Sequence, residues 1–153
     1  MTSFYNVLTQ LRNILHDHPD INVVTTGNMN EAALAKMTVF ALAHINPVSA
    51  TISGNSIQHS IQVTVMDRVD FNKRNVKDLE PNIYRGNDNL HDIWNTMLGV
   101  IAHTHAVLLR DTDYTMTVDE EVQCDPFDNR LEHDLAGITA TFNITTENES
   151  AIC

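Results

Sequence analysis

Ile57, His59, Ile61, Val63 and Val65 alternate with Gln58, Ser60, Gln62 and Thr64. A two-residue period sends successive side chains to opposite faces of a strand, so one face is mostly apolar and the other polar. Immediately upstream, Val48, Ala50 and Ile52 alternate in the same way. Between the two runs stands Ser53-Gly54-Asn55-Ser56, which has turn chemistry. Residues 48–65 therefore predict a hairpin with one apolar face. An isolated hairpin is barely stable in water, so the rest of the chain must cover that face.

The covering pieces are legible. Phe4, Val7, Leu8, Leu11, Ile14 and Leu15 lie on one stripe at helical spacing. Thr2 and Ser3 are N-cap candidates, and Pro19 stands just past the last periodic residue. A second and longer helix is expected from Asn89 to Arg110, capped by Asn89 with Asp92 in its first turn. Leu90, Ile93, Trp94, Met97, Leu98, Ile101, Leu108 and Leu109 follow its period. Val100, Ala102, Ala106 and Val107 make its second half apolar elsewhere as well. Such a helix is covered on more than one side, by its own subunit or by a neighbouring copy.

Further strands are expected at Ile21–Thr26, at Thr38–Ile45 ending in Asn46-Pro47, at Tyr114–Val118, at Val122–Phe127 and at Leu135–Thr145. The last alternates cleanly, with Ile138, Ala140, Phe142 and Ile144 on one side. The expected fold class is α+β. A mainly antiparallel sheet carries an N-terminal helix and a long central helix on one face. Residues 1–153 form one domain, with a charged loop or arm over 67–88 and a polar tail over 146–153. The expected core includes Phe4, Leu8, Leu11, Leu15, Ile61, Val63, Trp94, Leu98, Ile101, Phe142 and Ile144.

Apolar residues make up 42% of the chain, enough for a packed core. No apolar run reaches the length of a bilayer span, and Met1 to Tyr5 lacks the pattern of a signal peptide. The expectation is a protein that stays where it is made and holds no membrane. Cys124 and Cys153 are too few for a disulfide framework and read as free thiols. The net charge of −11 argues against a protein whose task is to grip phosphate backbones. The charge is also polarised. Five of the nine basic residues are Arg68, Lys73, Arg74, Lys77 and Arg85, whereas the stretch from Asp111 onward carries eleven acids and only Arg130 as a base. Solubility accounts for such a pattern. So does contact between copies of the chain. Arg68, Lys73, Arg74, Lys77 and Arg85, with Val100 and Val107, are the candidates for that contact.

Motifs for chemistry are missing. There is no dinucleotide fingerprint, Walker loop, Gly-x-Ser-x-Gly elbow or His-Glu-x-x-His pair. Eight histidines invite a metal hypothesis. His103 and His105 are two apart on a helix, about 200° around it, and cannot share an ion. His16 and His18 sit at a helix end, while His44, His59, His91 and His133 are scattered. Asp119, Glu120, Glu121, Asp125 and Asp128 lack the spacing of a calcium loop. The expectation is no enzyme, no catalytic residue, no metal and no cofactor.

Four stretches then stand out together: TVFALAHINPVSA (Thr38–Ala50), IQVTVMDRVD (Ile61–Asp70), YRGNDNLHDIWNTMLGVI (Tyr84–Ile101) and LEHDLAGITATFNI (Leu131–Ile144). In wording and order they resemble the tail-terminator, or tail-completion, proteins of the tailed-bacteriophage neck. The first 37 residues match that family in pattern only. The resemblance implies a tail-terminator-like fold and a virion component made in the bacterial host cytoplasm. It implies a ring, commonly a hexamer, that ends the tail tube and joins it to the head connector. Its partners would be its own copies, the tail tube protein and the head connector or adaptor proteins. DNA would pass through an acidic lumen without specific binding. A head–tail adaptor ring on the connector is the nearest alternative. A small metal-dependent hydrolase built on loop His and Asp is an alternative of another class.

Overall fold

In a computed structural model, residues 3–27, 39–69, 90–110, 116–128 and 135–149 are described. They form, in chain order, α1 (Ser3–Asp17), β1 (Val23–Thr26), β2 (Leu42–Ser53), β3 (Ser56–Arg68), α2 (Leu90–Leu109), β4 (Met116–Val118), β5 (Cys124–Asp128) and β6 (Leu135–Glu147). The fold is α+β, with a mixed six-stranded sheet.

The two alternating segments stand side by side at the sheet's centre. β3 pairs antiparallel with β2 on one side and with β6 on the other, along its whole length. β1 adds to the far side of β2 in parallel, but only at Leu42–Ile45. The outer edge of β6 is divided: β5 pairs with Ala136–Ala140 and β4 with Ile144–Thr146. All pairings other than β1 with β2 are antiparallel, as the hairpin signals require.

Turn chemistry sets the β2–β3 register. Gly54 has φ of 51°, in the left-handed region open to glycine, and Ser53 pairs with Ser56 across the two-residue turn. The end of β6 braces this turn. The Asn148 backbone N–H donates to the Asn55 carbonyl at 2.8 Å, and its side-chain amide donates to the Gly54 carbonyl at 3.0 Å.

Several boundaries differ from expectation. The strand expected to end at Asn46-Pro47 continues to Ser53, because an irregularity between Pro47 and Ser49 absorbs the proline as a bulge. No described strand flanks Pro47 on its outer side, where a missing N–H would matter. Asp67 and Arg68 belong to β3 rather than to the charged loop, and the remainder of that loop, residues 70–88, lies outside the described residues. Thr146 and Glu147 belong to β6 rather than to a tail. The capping residues Thr2 and Asn89 also lie outside the described residues.

Both helices pack on one face of the sheet. Val7, Leu11 and Leu15 of α1 and Ile93, Met97, Val100, Ile101 and Leu108 of α2 are buried there against Ala43, Ile45, Ile61, Val63, Val65, Ile138, Ala140, Phe142 and Ile144. Thr104 lies in the same stripe and satisfies its hydroxyl on the Val100 carbonyl at 2.9 Å. Four of the expected core positions differ, and Leu8 is one of them, half-buried at the margin of the cluster. Phe4 is 42% exposed, because it lies at the N-terminal end of α1, where its ring meets those of Tyr5 and His59, with centroids 5.9 and 6.1 Å away. Leu98 is 47% exposed, about 100° around α2 from Met97 and off the buried stripe. Trp94 is half-buried, with its indole N–H donating to the Phe127 carbonyl at 2.9 Å. On the opposite sheet face, Leu42, Met66 and Leu135 form a smaller cluster with Val23, Phe40 and Phe127.

Candidate functional site

The apolar surround of α2 is covered only in part inside the subunit: Leu98, Ala102, Val107 and Leu109 remain exposed. The sheet lies beneath it. On one flank His103 meets the ring of His18, at the end of α1, with centroids 5.1 Å apart. On the other flank His105 donates from Nε2 to the Asp119 carbonyl at 2.7 Å, tying α2 to the segment between β4 and β5. The two histidines thus point to different neighbours, as their spacing dictates.

Beside the His105 bond runs a shallow groove of about 510 Å³. Leu98, Ile101, Ala102 and His105 form its α2 wall, and residues 120–124 form the other. Its rim is acidic. Glu120 and Glu121 line it and are exposed, and Asp119, Asp125 and Asp128, also exposed, lie before and within β5. Cys124 is a free, half-buried thiol in the groove wall. Burial, and then the neighbouring Asp125 carboxylate, push its pKa up, which keeps it protonated and a poor nucleophile at neutral pH.

The other sheet face holds a smaller recess of about 250 Å³, lined by His44, Asn46, Gln62, Thr64, Phe127 and Thr139. His44 is buried, and both its ring nitrogens are engaged. The Gly27 carbonyl, 2.7 Å from Nε2, can only accept, so Nε2 carries the proton. Nδ1, 2.7 Å from the Thr25 hydroxyl, is then the acceptor. No nitrogen is left for a metal or a reacting group. His59 is buried and engaged through Nε2. The Thr146 hydroxyl donates to the Ile57 carbonyl at 3.4 Å and accepts from His59 Nε2 at 3.3 Å. Among the described residues, no three His, Cys, Asp or Glu side chains are grouped to hold a metal ion. No helix among them is long and apolar enough to cross a membrane.

The candidates for contact between copies fall in different places. Arg68 ends β3, paired with Leu135, and its guanidinium lies over the Phe40 ring at 5.0 Å from the centroid. Lys73, Arg74, Lys77 and Arg85 lie outside the described residues. Val100 is corrected: it is fully buried against the subunit's own sheet and has no surface to offer a neighbour. Val107 is 36% exposed and stays accessible.

Two features escaped the sequence reading. The acids of residues 119–128 were legible as composition, but not as one edge of the sheet. The groove depends on α2 and residues 120–124 meeting, and nothing in local spacing announces that. No protein-family model and no curated protein matches this chain.

Proposed function

We propose that this chain is a structural subunit of a tailed-bacteriophage neck, which closes with its own copies into a ring. The ring ends the tail tube and offers the docking surface for the head connector. The observation that carries the reading is the uneven charge along the chain, with five of the nine basic residues between Arg68 and Arg85 and eleven acids against one base from Asp111 onward. The acids from Asp119 to Asp128 are displayed along the β4–β5 edge of the sheet. The basic stretch instead begins at Arg68, where β3 ends. A head-to-tail contact needs two unlike surfaces, and it closes a ring when its rotation matches the symmetry. The resemblance of the stretches 38–50, 61–70, 84–101 and 131–144 to tail-terminator proteins supports the same reading. Setting the basic stretch of one copy by the acidic edge of the next supplies register and steering. Apolar surface, including Leu98 in the acid-rimmed groove and Val107, supplies the burial.

Native mass spectrometry of the purified chain, alone and with tail tubes, tests this. Closed oligomers that bind tube ends are the expected result. A monomer under both conditions, or stoichiometric metal with hydrolytic turnover, overturns it.

A further inference from the structure

From Met37 to Met66 the sequence carries no Asp, Glu, Lys or Arg, in a chain of net charge −11. Folded, that stretch contains all of β2 and most of β3. Beyond Ile45, no described strand pairs with the outer side of β2. Residues 48–53 are all exposed there, with Val48 at 60% and Ile52 at 71%. On its inner side the same stretch is fully paired, Ser49 with Ser60 through Ser53 with Ser56, and β3 is paired in turn with β6. Among the described residues it is therefore an uncharged strand edge with no outer partner. Natural sheets usually blunt such an edge with charges or prolines. The opposite edge is blunted in this way, by Asp125, Pro126 and Asp128 in β5.

The backbone fixes which groups this edge presents. Ser53 and Ser56 flank a two-residue turn and so form a hydrogen-bonded pair. Alternation then turns the backbone groups of Ser49, Thr51 and Ser53 inward to β3, and those of Ala50 and Ile52 outward. We propose that the Ser49–Ser53 edge docks on the same edge of a second copy, antiparallel, about a two-fold axis through Thr51. In that register Ala50 stands opposite the second copy's Ile52, and each pair exchanges both of its outward N–H and C=O groups. Ile52 of each copy covers Ala50 of the other on one face. The hydroxyls of Ser49, Thr51 and Ser53 meet their counterparts on the other face. β-Branched and hydroxyl pairs of this kind favour strand pairing. The absence of charge suits another copy as the occupant. Two such chains repel over most of their surface, and here they approach without setting like charges together. The sequence Ser-Ala-Thr-Ile-Ser also reads almost alike in both directions.

This contact is independent of the ring reading, because a two-fold pair joins two copies, or two rings, and does not close a ring. The test begins with a full-length chain carrying Cys124→Ser and Cys153→Ser. In it, Thr51→Cys brings two thiols together across a non-hydrogen-bonded pair, where Cα atoms are about 4.5 Å apart and a disulfide fits. Mild oxidation is expected to give a covalent dimer, while Asn13→Cys on the exposed side of α1 is expected to stay monomeric on a denaturing gel. Separately, Ala50→Lys, at an exposed position that leaves the core intact, is expected to weaken association at least tenfold in sedimentation equilibrium with an unchanged melting temperature. If rings form as well, Thr51→Cys links two rings and Ala50→Lys leaves single ones. Thr51→Cys that crosslinks no faster than Asn13→Cys, or association unmoved by Ala50→Lys, overturns the proposal. The first of those outcomes is also what docking of a foreign strand would give.

Discussion

Gly137 lies against Val65 so closely that a β-carbon there would sit inside the Val65 carbonyl oxygen, and only 2.8 Å from Met66 Cα. The glycine is buried in β6, opposite Met66 in the register with β3. Both obstructing atoms are backbone, in a strand paired on both sides, and neither can swing away. Gly137→Ala is therefore expected to destabilise the fold by at least about 1–3 kcal/mol, the usual cost of overpacking. Urea unfolding followed by circular dichroism measures it. A neutral substitution would show that the central pair has slack the structure does not suggest.

Trp94 ties α2 to β5 through one hydrogen bond from its indole to the Phe127 carbonyl. Trp94→Phe keeps a ring and loses the donor, at an expected cost of about 0.5–1.5 kcal/mol. Trp94→Ala also removes packing. Because the side chain is half-buried, its cost should fall below the roughly 3–5 kcal/mol of a fully buried aromatic truncation. Thermal melts of both variants check the order. Equal losses for the two would mean that the hydrogen bond carries all of the effect.

The central hairpin and β6 were readable because strict alternation is a local signal, and Ser53-Gly54-Asn55-Ser56 fixes their register. α1 was readable from its stripe, apart from Phe4, whose exposure depends on where the helix overhangs the sheet. The phase of α2 was harder to place. Its apolar residues surround the helix, so periodicity could not choose between Leu98 and Val100. Tertiary packing chose Val100 for the core and left Leu98 to the groove wall. The continuity of β2 through Pro47 was missed, because proline normally stops a strand, whereas a bulge at a partly free edge accommodates it. The candidate contact surfaces were legible as charge composition alone. That the acids of residues 119–128 share one edge of the sheet depends on β4 and β5 both pairing with β6, which is a long-range fact.

His59 is 4% exposed, and burial lowers its pKa below the ordinary 6.5. The unfolded chain therefore takes up its proton at a higher pH than the folded one. Stability associated with this group is intact above about pH 6.5 and falls as pH drops from there through the lowered folded value. His59→Gln removes the titration and can still donate to Thr146. Its melting temperature is expected to fall less than that of the parent between pH 7 and pH 5. Parallel curves for the two proteins would contradict the buried, neutral state of His59.

Ring closure by opposite charge makes the last prediction. Reversing Arg68, Lys73, Arg74 and Lys77 to Glu places like charges where the proposed contact needs attraction. Exposed ion pairs are each worth only about 0–1 kcal/mol, and salt screens them. The defect in ring formation should therefore be largest at low salt and fade as salt rises. Reversing Glu120 and Glu121 to Lys, on the exposed rim of the groove, is expected to produce the same defect from the other side. Copies carrying only the first reversal, mixed with copies carrying only the second, regain opposite charges at every contact when the two alternate around a ring with an even number of copies. Both reversals in one chain also restore closure, because each contact then regains opposite charges. Oligomer distributions across a salt series, for the parent, the two single reversals and the combined variant, decide the matter. Rescue in the combined variant supports a contact between these two regions. Rings unchanged in all four proteins would remove charge from the account of closure and leave the apolar surface at Leu98 and Val107 to carry it.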